Sequence, residues 1–241
     1  MIGVLLLTFQ PLVGINTIMY YGPQIIIDSG ITMKEIEDKA MIGIMLNMVL
    51  AMVNAIGSTL ACFTIDNLGR RYVILRCVPI VLVALIIVSC SMGINTYSED
   101  EDEKFKGHVF FFTGVILYLA FYAIGFFSTP WAINAEIFPV HLIGTAVSIG
   151  SAANWIMSFF VGSIFLTVMD SDSGKVYAFL ILAAFCVLAW VFTYFFVPET
   201  AGKPIEENIY NIIGEDLFPE EYVEYEEYAD QEPGNSPAIM I

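Results

Sequence analysis

A chain of 241 residues that is 58% hydrophobic and only 14% charged does not have the composition of a soluble domain, where about a quarter of residues are charged. The formal charge of −16 argues against nucleic acid as a partner. With no basic flank before it and no small-residue cleavage site after it, the first apolar run is expected to be a membrane span rather than a secretory leader.

Six apolar runs reach the roughly 20 residues that a helix needs to cross a bilayer core: about 2–27, 40–64, 72–94, 108–133, 142–169 and 175–197. Gly, Ala and Ser recur through them, as expected where helices pack closely in lipid. The expected class is therefore all-α, a multi-pass integral membrane bundle.

The first run carries Gln10-Pro11-Leu12-Val13-Gly14-Ile15-Asn16-Thr17-Ile18-Met19-Tyr20-Tyr21, a mixture for which a lipid-facing helix has no use. Polar side chains at membrane depth usually face a bundle interior or a watery cavity. Pro11 removes a backbone donor and Gly14 weakens the helix, so a break is expected where backbone groups could meet a ligand. A buried seam between helices is the other reading. In the second run Asn47 and Asn54 are seven residues apart, on nearly one face. They suit either a polyhydroxylated ligand or an interhelical amide bond.

The turn Asp66-Asn67-Leu68-Gly69-Arg70-Arg71 sets an acid beside two arginines at a membrane surface. Arg70 and Arg71 could clamp a carboxylate with bidentate geometry, and Glu136 and Glu199, each just beyond another apolar run, are the candidates. Anchoring at the headgroups is the alternative. The fourth run ends Ser128-Thr129-Pro130-Trp131-Ala132-Ile133-Asn134-Ala135-Glu136. Pro130 can open the helix and turn Trp131 toward a cavity, where an indole offers a stacking face and one N–H donor. The fifth run holds Asn154-Trp155 among small residues, suited to polar lining or to packing.

The four cysteines, Cys62, Cys77, Cys90 and Cys186, lie in or beside apolar runs and read as packing residues. With His108 and His141 far apart near run ends, no nucleophile–base pair, phosphate loop or metal-ligand cluster emerges. The chain is not read as an enzyme, and no cofactor or metal is implied. Lysines and arginines divide five to four between the two sides of the bundle, so their count does not set orientation. From Glu199 onward 12 acidic residues face Lys203 alone. Residues 209–241 are expected to form an acidic, solvated extension, with Tyr222, Tyr225 and Tyr228 among its carboxylates.

The string Gln10–Tyr21 resembles the QxxxGIN…YY segment of sugar porters of the major facilitator superfamily. Asp66–Arg71 resembles their D/E-x-x-G-R-R turn, Pro130-Trp131…Glu136 their PW…E signature, and Pro198-Glu199-Thr200-Ala201-Gly202-Lys203 their PET-x-G ending. The order and spacing match from Met1 to about Asn208, and the resemblance is to the C-terminal six-helix half of the major facilitator fold. Proton-coupled myo-inositol transporters are the most similar subfamily, and hexose carriers the next.

What this resemblance implies is transport of a polyol or sugar across a membrane by alternating access. It assigns substrate hydrogen bonds to Gln10, Asn16, Asn54 and Asn154, and stacking or hydrogen bonding to Trp131. Tyr20 and Tyr21 fall at an outer gate. Asp66, Arg70, Arg71, Glu136 and Glu199 match a cytoplasmic charge network, which would place residues 209–241 in the cytoplasm, the plasma membrane being the expected location. Three departures stand out: Pro11 replaces a second glutamine, Phe127-Ser128 a glycine–proline pair, and His141 and Ile143 two arginines.

In that superfamily two halves rock about a shared midplane site. Residues 1–208 are thus expected to be one half, lacking its N-terminal partner and that partner's proton-coupling carboxylate. A half-size porter acting as an oligomer and a transport-dead sensor or scaffold built around the tail are the alternatives.

Overall fold

The computed structural model of the protein describes residues 1–28 and 39–213. The extension at 214–241, with its three tyrosines, lies outside them. Nine α-helices and one π-helical turn make up the described residues: α1 (Ile2–Leu12), α2 (Ile15–Asp28), α3 (Lys39–Leu68), α4 (Arg70–Tyr97), α5 (Glu101–Tyr122), the π turn (Ala123–Phe127), α6 (Thr129–Glu136), α7 (Val140–Met169), α8 (Asp172–Phe196) and α9 (Ile205–Ile213). Six stretches are long and apolar enough to cross a membrane, one for each run expected from the sequence.

Two of the six are interrupted. The first breaks between α1 and α2 at Gly14, whose φ of 100° is a conformation that residues with a Cβ avoid. The Gly14 N–H bonds Pro11 O at 3.0 Å, a tighter turn than the α-helical ladder. The fourth loosens into the π turn ahead of Pro130, which stands in the first turn of α6, where a missing N–H is tolerated. Two helix starts follow ordinary capping chemistry. Asp100 accepts from Asp102 N at 3.1 Å before α5, and Ser171 accepts from Gly174 N at 3.0 Å before α8.

The core is built on α4, which packs most extensively against α5 and α8. Val81, Ala84, Leu85 and Val88 are fully buried on it, facing Val115 and Leu119 of α5 and Phe179, Cys186 and Ala189 of α8. Close approach depends on small residues, as it does generally in lipid. A Cβ on Gly57 of α3 would stand 2.6 Å from that of Ala123, and one on Gly125 would stand 2.2 Å from that of Cys77. α1 packs mainly on α7. The best apolar windows of α3 and α7 are only 22% and 11% buried, against 50% for α4, so these two spans present their apolar faces outward.

α9 runs to Ile213, five residues past the boundary expected at 208, because its apolar side is seated: Ile209 is buried and Ile212 packs on the core.

Pro11, Pro79 and Pro130 each lack the N–H that would serve the carbonyl four residues back, and each of these three carbonyls is met from another span. Pro79 cannot donate to Leu75 O, four residues back. Trp190 of α8 supplies the missing bond through Nε1 at 3.1 Å. Replacing Trp190 with Phe leaves that carbonyl without a donor. The expected loss is about 1–3 kcal/mol, read as a lowered thermal unfolding midpoint in detergent.

Candidate functional site

The same accounting organises the polar wall around the two helix breaks. Pro11 vacates Leu7 O, and Asn154 Nδ2 of α7 donates to it at 2.8 Å. Pro130 vacates Phe126 O, and Gln10 Nε2 donates there at 2.8 Å and to Phe127 O at 2.7 Å. Asn154 Nδ2 also donates to Gln10 Oε1 at 3.0 Å. On the other side, Asn16 Nδ2 of α2 donates to Ser158 Oγ at 2.8 Å, and that hydroxyl donates to Asn154 O at 2.8 Å. An unbroken hydrogen-bonded chain therefore runs Asn16–Ser158–Asn154–Gln10 to the π turn, crossing four helical segments.

Gln10, Asn16 and Asn154 are thus brought together, as a shared site requires, but Gln10 and Asn154 are buried, at 4% and 8% exposure, and spend their donors on backbone. Asn54 differs. It is half-buried, and its Oδ1 lies buried without a hydrogen-bond partner. One turn on, Gly57 seats α3 against the start of the π turn. An acceptor in that state is short of a bond worth about 1 kcal/mol. Asn47, expected on the same face, is exposed. Trp131 is half-buried at the start of α6, its backbone N–H bonded to Ser128 O at 3.2 Å.

Tyr20 and Tyr21, expected together at a gate, separate. Tyr21 stacks on Phe165 of α7 at 6.1 Å, whereas Tyr20 is exposed. Two apolar grooves, of about 470 and 400 Å³, lie along α1–α7 and α7–α8. Thr145 is the one polar side chain lining the first and the second has none, so neither offers the hydrogen-bonding groups that a hydroxylated ligand needs. Tyr118 and Tyr122, which the motifs did not single out, also join the wall. Their hydroxyls donate to Val13 O at 3.2 Å and Gln10 O at 3.3 Å. Two tyrosines four residues apart inside an apolar span were the available signal.

At the Gly69 end the five charged residues do meet. Arg70 donates through Nε (3.2 Å) and Nη2 (2.9 Å) to Glu136 Oε1, and Thr200 Oγ1 donates to Glu136 Oε2 at 2.5 Å. With side chains 15% and 26% exposed, the Arg70–Glu136 pair outweighs Arg70–Asp66, at 3.1 Å with Asp66 73% exposed, since exposed pairs are worth about 0–1 kcal/mol. Glu199 acts through the main chain. It accepts from the N–H groups of Arg70 (2.8 Å), Arg71 (3.1 Å) and Tyr72 (3.3 Å), capping α4 where a negative charge favours the helix dipole. Arg71 instead donates through Nη2 to Tyr194 O at 2.6 Å, near the end of α8. Gly69 makes the cap possible. At φ 94° it admits no ordinary side chain, and a Cβ there would lie 2.6 Å from Glu199 Oε2.

The family model that matches residues 1–210 is described as sugar (and other) transporter. Membrane transporter D1 of Leishmania donovani is 34% identical over 198 residues, which are 82% of this chain and 34% of that protein. Myo-inositol transporter 1 of Cryptococcus neoformans is 32% identical over 212 residues, 86% of this chain and 35% of its own length. Among solved structures, the proton:xylose symporter XylE bound to 6-bromo-6-deoxy-D-glucose is 27% identical with a TM-score of 0.68, covering 90% of this chain and 42% of that one. The inward-open xylose transporter XylE from E. coli gives 27% and 0.67, with 87% and 41% covered. The chain therefore spans about a third of the curated relatives' length and two-fifths of the solved structures'.

Gly69→Ala is expected to lower stability by about 1–3 kcal/mol, the scale of a residue forced into a glycine-only conformation. Asp66→Ala is expected to change it by less than about 1 kcal/mol. Thermal unfolding of the two variants side by side checks the order.

Proposed function

The chain belongs to the sugar (and other) transporter family of the major facilitator superfamily, a multi-pass membrane protein and not an enzyme, and on that premise we propose that it forms one six-helix wall of a polyol or sugar carrier. The observation that carries this reading is the amide chain Asn16–Ser158–Asn154–Gln10, together with the unpartnered Asn54 Oδ1. A ring of hydroxyls needs convergent donors and acceptors, and Asn54 has an acceptor to offer at once. Trp131, at the start of α6, supplies an apolar face for the ring.

The proposed substrates are myo-inositol or a hexose. The similarity to a myo-inositol transporter and to a symporter structure holding a glucose derivative favours that class, and proton coupling is part of the proposal. The second wall is proposed to be another six-helix half, seated on α3 and α7. Those two spans are the least covered by the rest of the chain, at 22% and 11% buried over their most apolar stretches, and coverage of only 34–42% of the relatives supports a larger whole. Alternating access then follows as one half rocks against the other around the shared site. The Arg70–Glu136–Thr200 cluster and the Glu199 cap hold the Gly69 end, proposed as cytoplasmic in the plasma membrane, in one state of that cycle.

Uptake of labelled myo-inositol and glucose in transporter-deficient cells tests the reading. The chain is expressed alone and together with an N-terminal six-helix half. Uptake only with the second half is the expected result. Uptake by the chain alone points to a half-size porter acting as an oligomer. Uptake in neither case overturns transport in favour of a sensor or scaffold. In the working assembly Trp131→Ala and Asn54→Ala are each expected to weaken substrate binding by about 1–3 kcal/mol, and unchanged affinity in both removes the proposed site.

A further inference from the structure

Tyr118 and Tyr122 stand one turn apart on α5, both fully buried. Their rings stack at 5.5 Å with 16° between planes, and Tyr122 meets the edge of Phe126 at 6.0 Å. This packing fixes where the hydroxyls point. Tyr118 donates to Val13 O and Tyr122 to Gln10 O, the two carbonyls that flank the tight turn at Gly14. In the opposite direction Gln10 Nε2 donates to Phe126 O and Phe127 O, in the π turn that follows Tyr122. The end of α1 and the end of α5 thus hold each other reciprocally.

The donors around the break are not equivalent. An uninterrupted helix through Gly14 would send the Gly14 N–H to Gln10 O and the Thr17 N–H to Val13 O. Both carbonyls served by the tyrosines would then regain backbone donors. Leu7 O would not, because Pro11 has no N–H in either shape. Asn154 is therefore needed whether the helix is broken or straight, and the two tyrosines only when it is broken.

We propose that Tyr118 and Tyr122 are positioning residues that select the broken form of α1–α2 and tie it to the π turn after α5, so that the two interruptions of the polar wall shift together. The inference concerns the shape of the helix and does not depend on which solute, if any, is carried.

Pulsed dipolar EPR on the full chain in lipid nanodiscs tests it. Spin labels replace the exposed Leu5 and Tyr20, and Cys62→Ser and Cys90→Ser remove the exposed thiols. A straight helix separates the two labelled positions by about 22 Å. Tyr118→Phe and Tyr122→Phe keep the rings and delete one hydroxyl each. Each is expected to move the broken-to-straight ratio toward the straight separation by roughly tenfold, the scale of one orphaned buried carbonyl, and the double variant further. Gly14→Ala, denied its φ of 100°, is expected to shift the distribution in the same direction. Trp190→Phe, which orphans Leu75 O on a different pair of helices, is expected to leave it unchanged. A double tyrosine variant with the parental distribution overturns the proposal, and so does a Trp190→Phe shift as large as theirs. Should one single variant fail to fold, the other carries the same test. No solute enters the measurement, so a negative result leaves the uptake experiment untouched.

Discussion

A carbonyl that loses its helical donor inside a membrane cannot turn to water, and the architecture follows from how that deficit is met. Pro11, Pro79 and Pro130 each vacate the carbonyl four residues back, and in each case a side chain from a different span donates to it: Asn154 to Leu7 O, Trp190 to Leu75 O and Gln10 to Phe126 O. Every such bond staples two spans, α1 to α7, α4 to α8, and α1 to the π turn. Apolar surface does little to decide which helix neighbours which in lipid, since lipid tails are as apolar as leucine. A donor that must reach one particular carbonyl specifies partner and register together.

In the proposed carrier, structural and ligand-binding duties fall on the same groups. Gln10 and Asn154 are assigned to substrate by the family resemblance, yet both are already bonded to backbone and to each other. A hydroxylated ligand that engages them exchanges one hydrogen bond for another, with little net gain. Asn54 Oδ1 starts without a partner and gains a full bond. In the proposed carrier, affinity therefore rests more on Asn54 and Trp131 than on the residues with the most polar contacts. In that proposal the occupied amides link ligand contact to the shape of the two helix breaks.

At the Gly69 end the charges divide into two devices. Arg70 and Glu136 form a half-buried ion pair reinforced by Thr200, joining the first residue of α4, just after the Gly69 turn, to the end of α6. Glu199 gathers three backbone N–H groups at the start of α4, joining that turn to the chain leaving α8. Gly69 serves both, since its backbone conformation turns the chain and its missing Cβ leaves room for the carboxylate. An ion pair loosens as water reaches it, whereas a capped helix end holds its place. The first is suited to opening and closing, the second to being a fixed point.

The sequence by itself determined the number and order of the spans, because about 20 apolar residues are the length of a bilayer crossing. It also determined that Gly14 and Pro130 would interrupt two of them, and that Asp66, Arg70, Glu136 and Glu199 would share one end, since alternating spans bring them there. Only the tertiary structure decided which donor meets which carbonyl. Gln10 and Phe126 are 116 residues apart in the chain, and Asn154 and Leu7 are 147 apart, and no local pattern encodes a bond of that separation. For the same reason no motif singles out Tyr118 and Tyr122, and the arginine turn by itself does not tell that Arg71 donates to Tyr194 O or that Glu199 accepts from backbone N–H groups. Residue type announces that a polar group must be satisfied; the packing of distant helices chooses its partner.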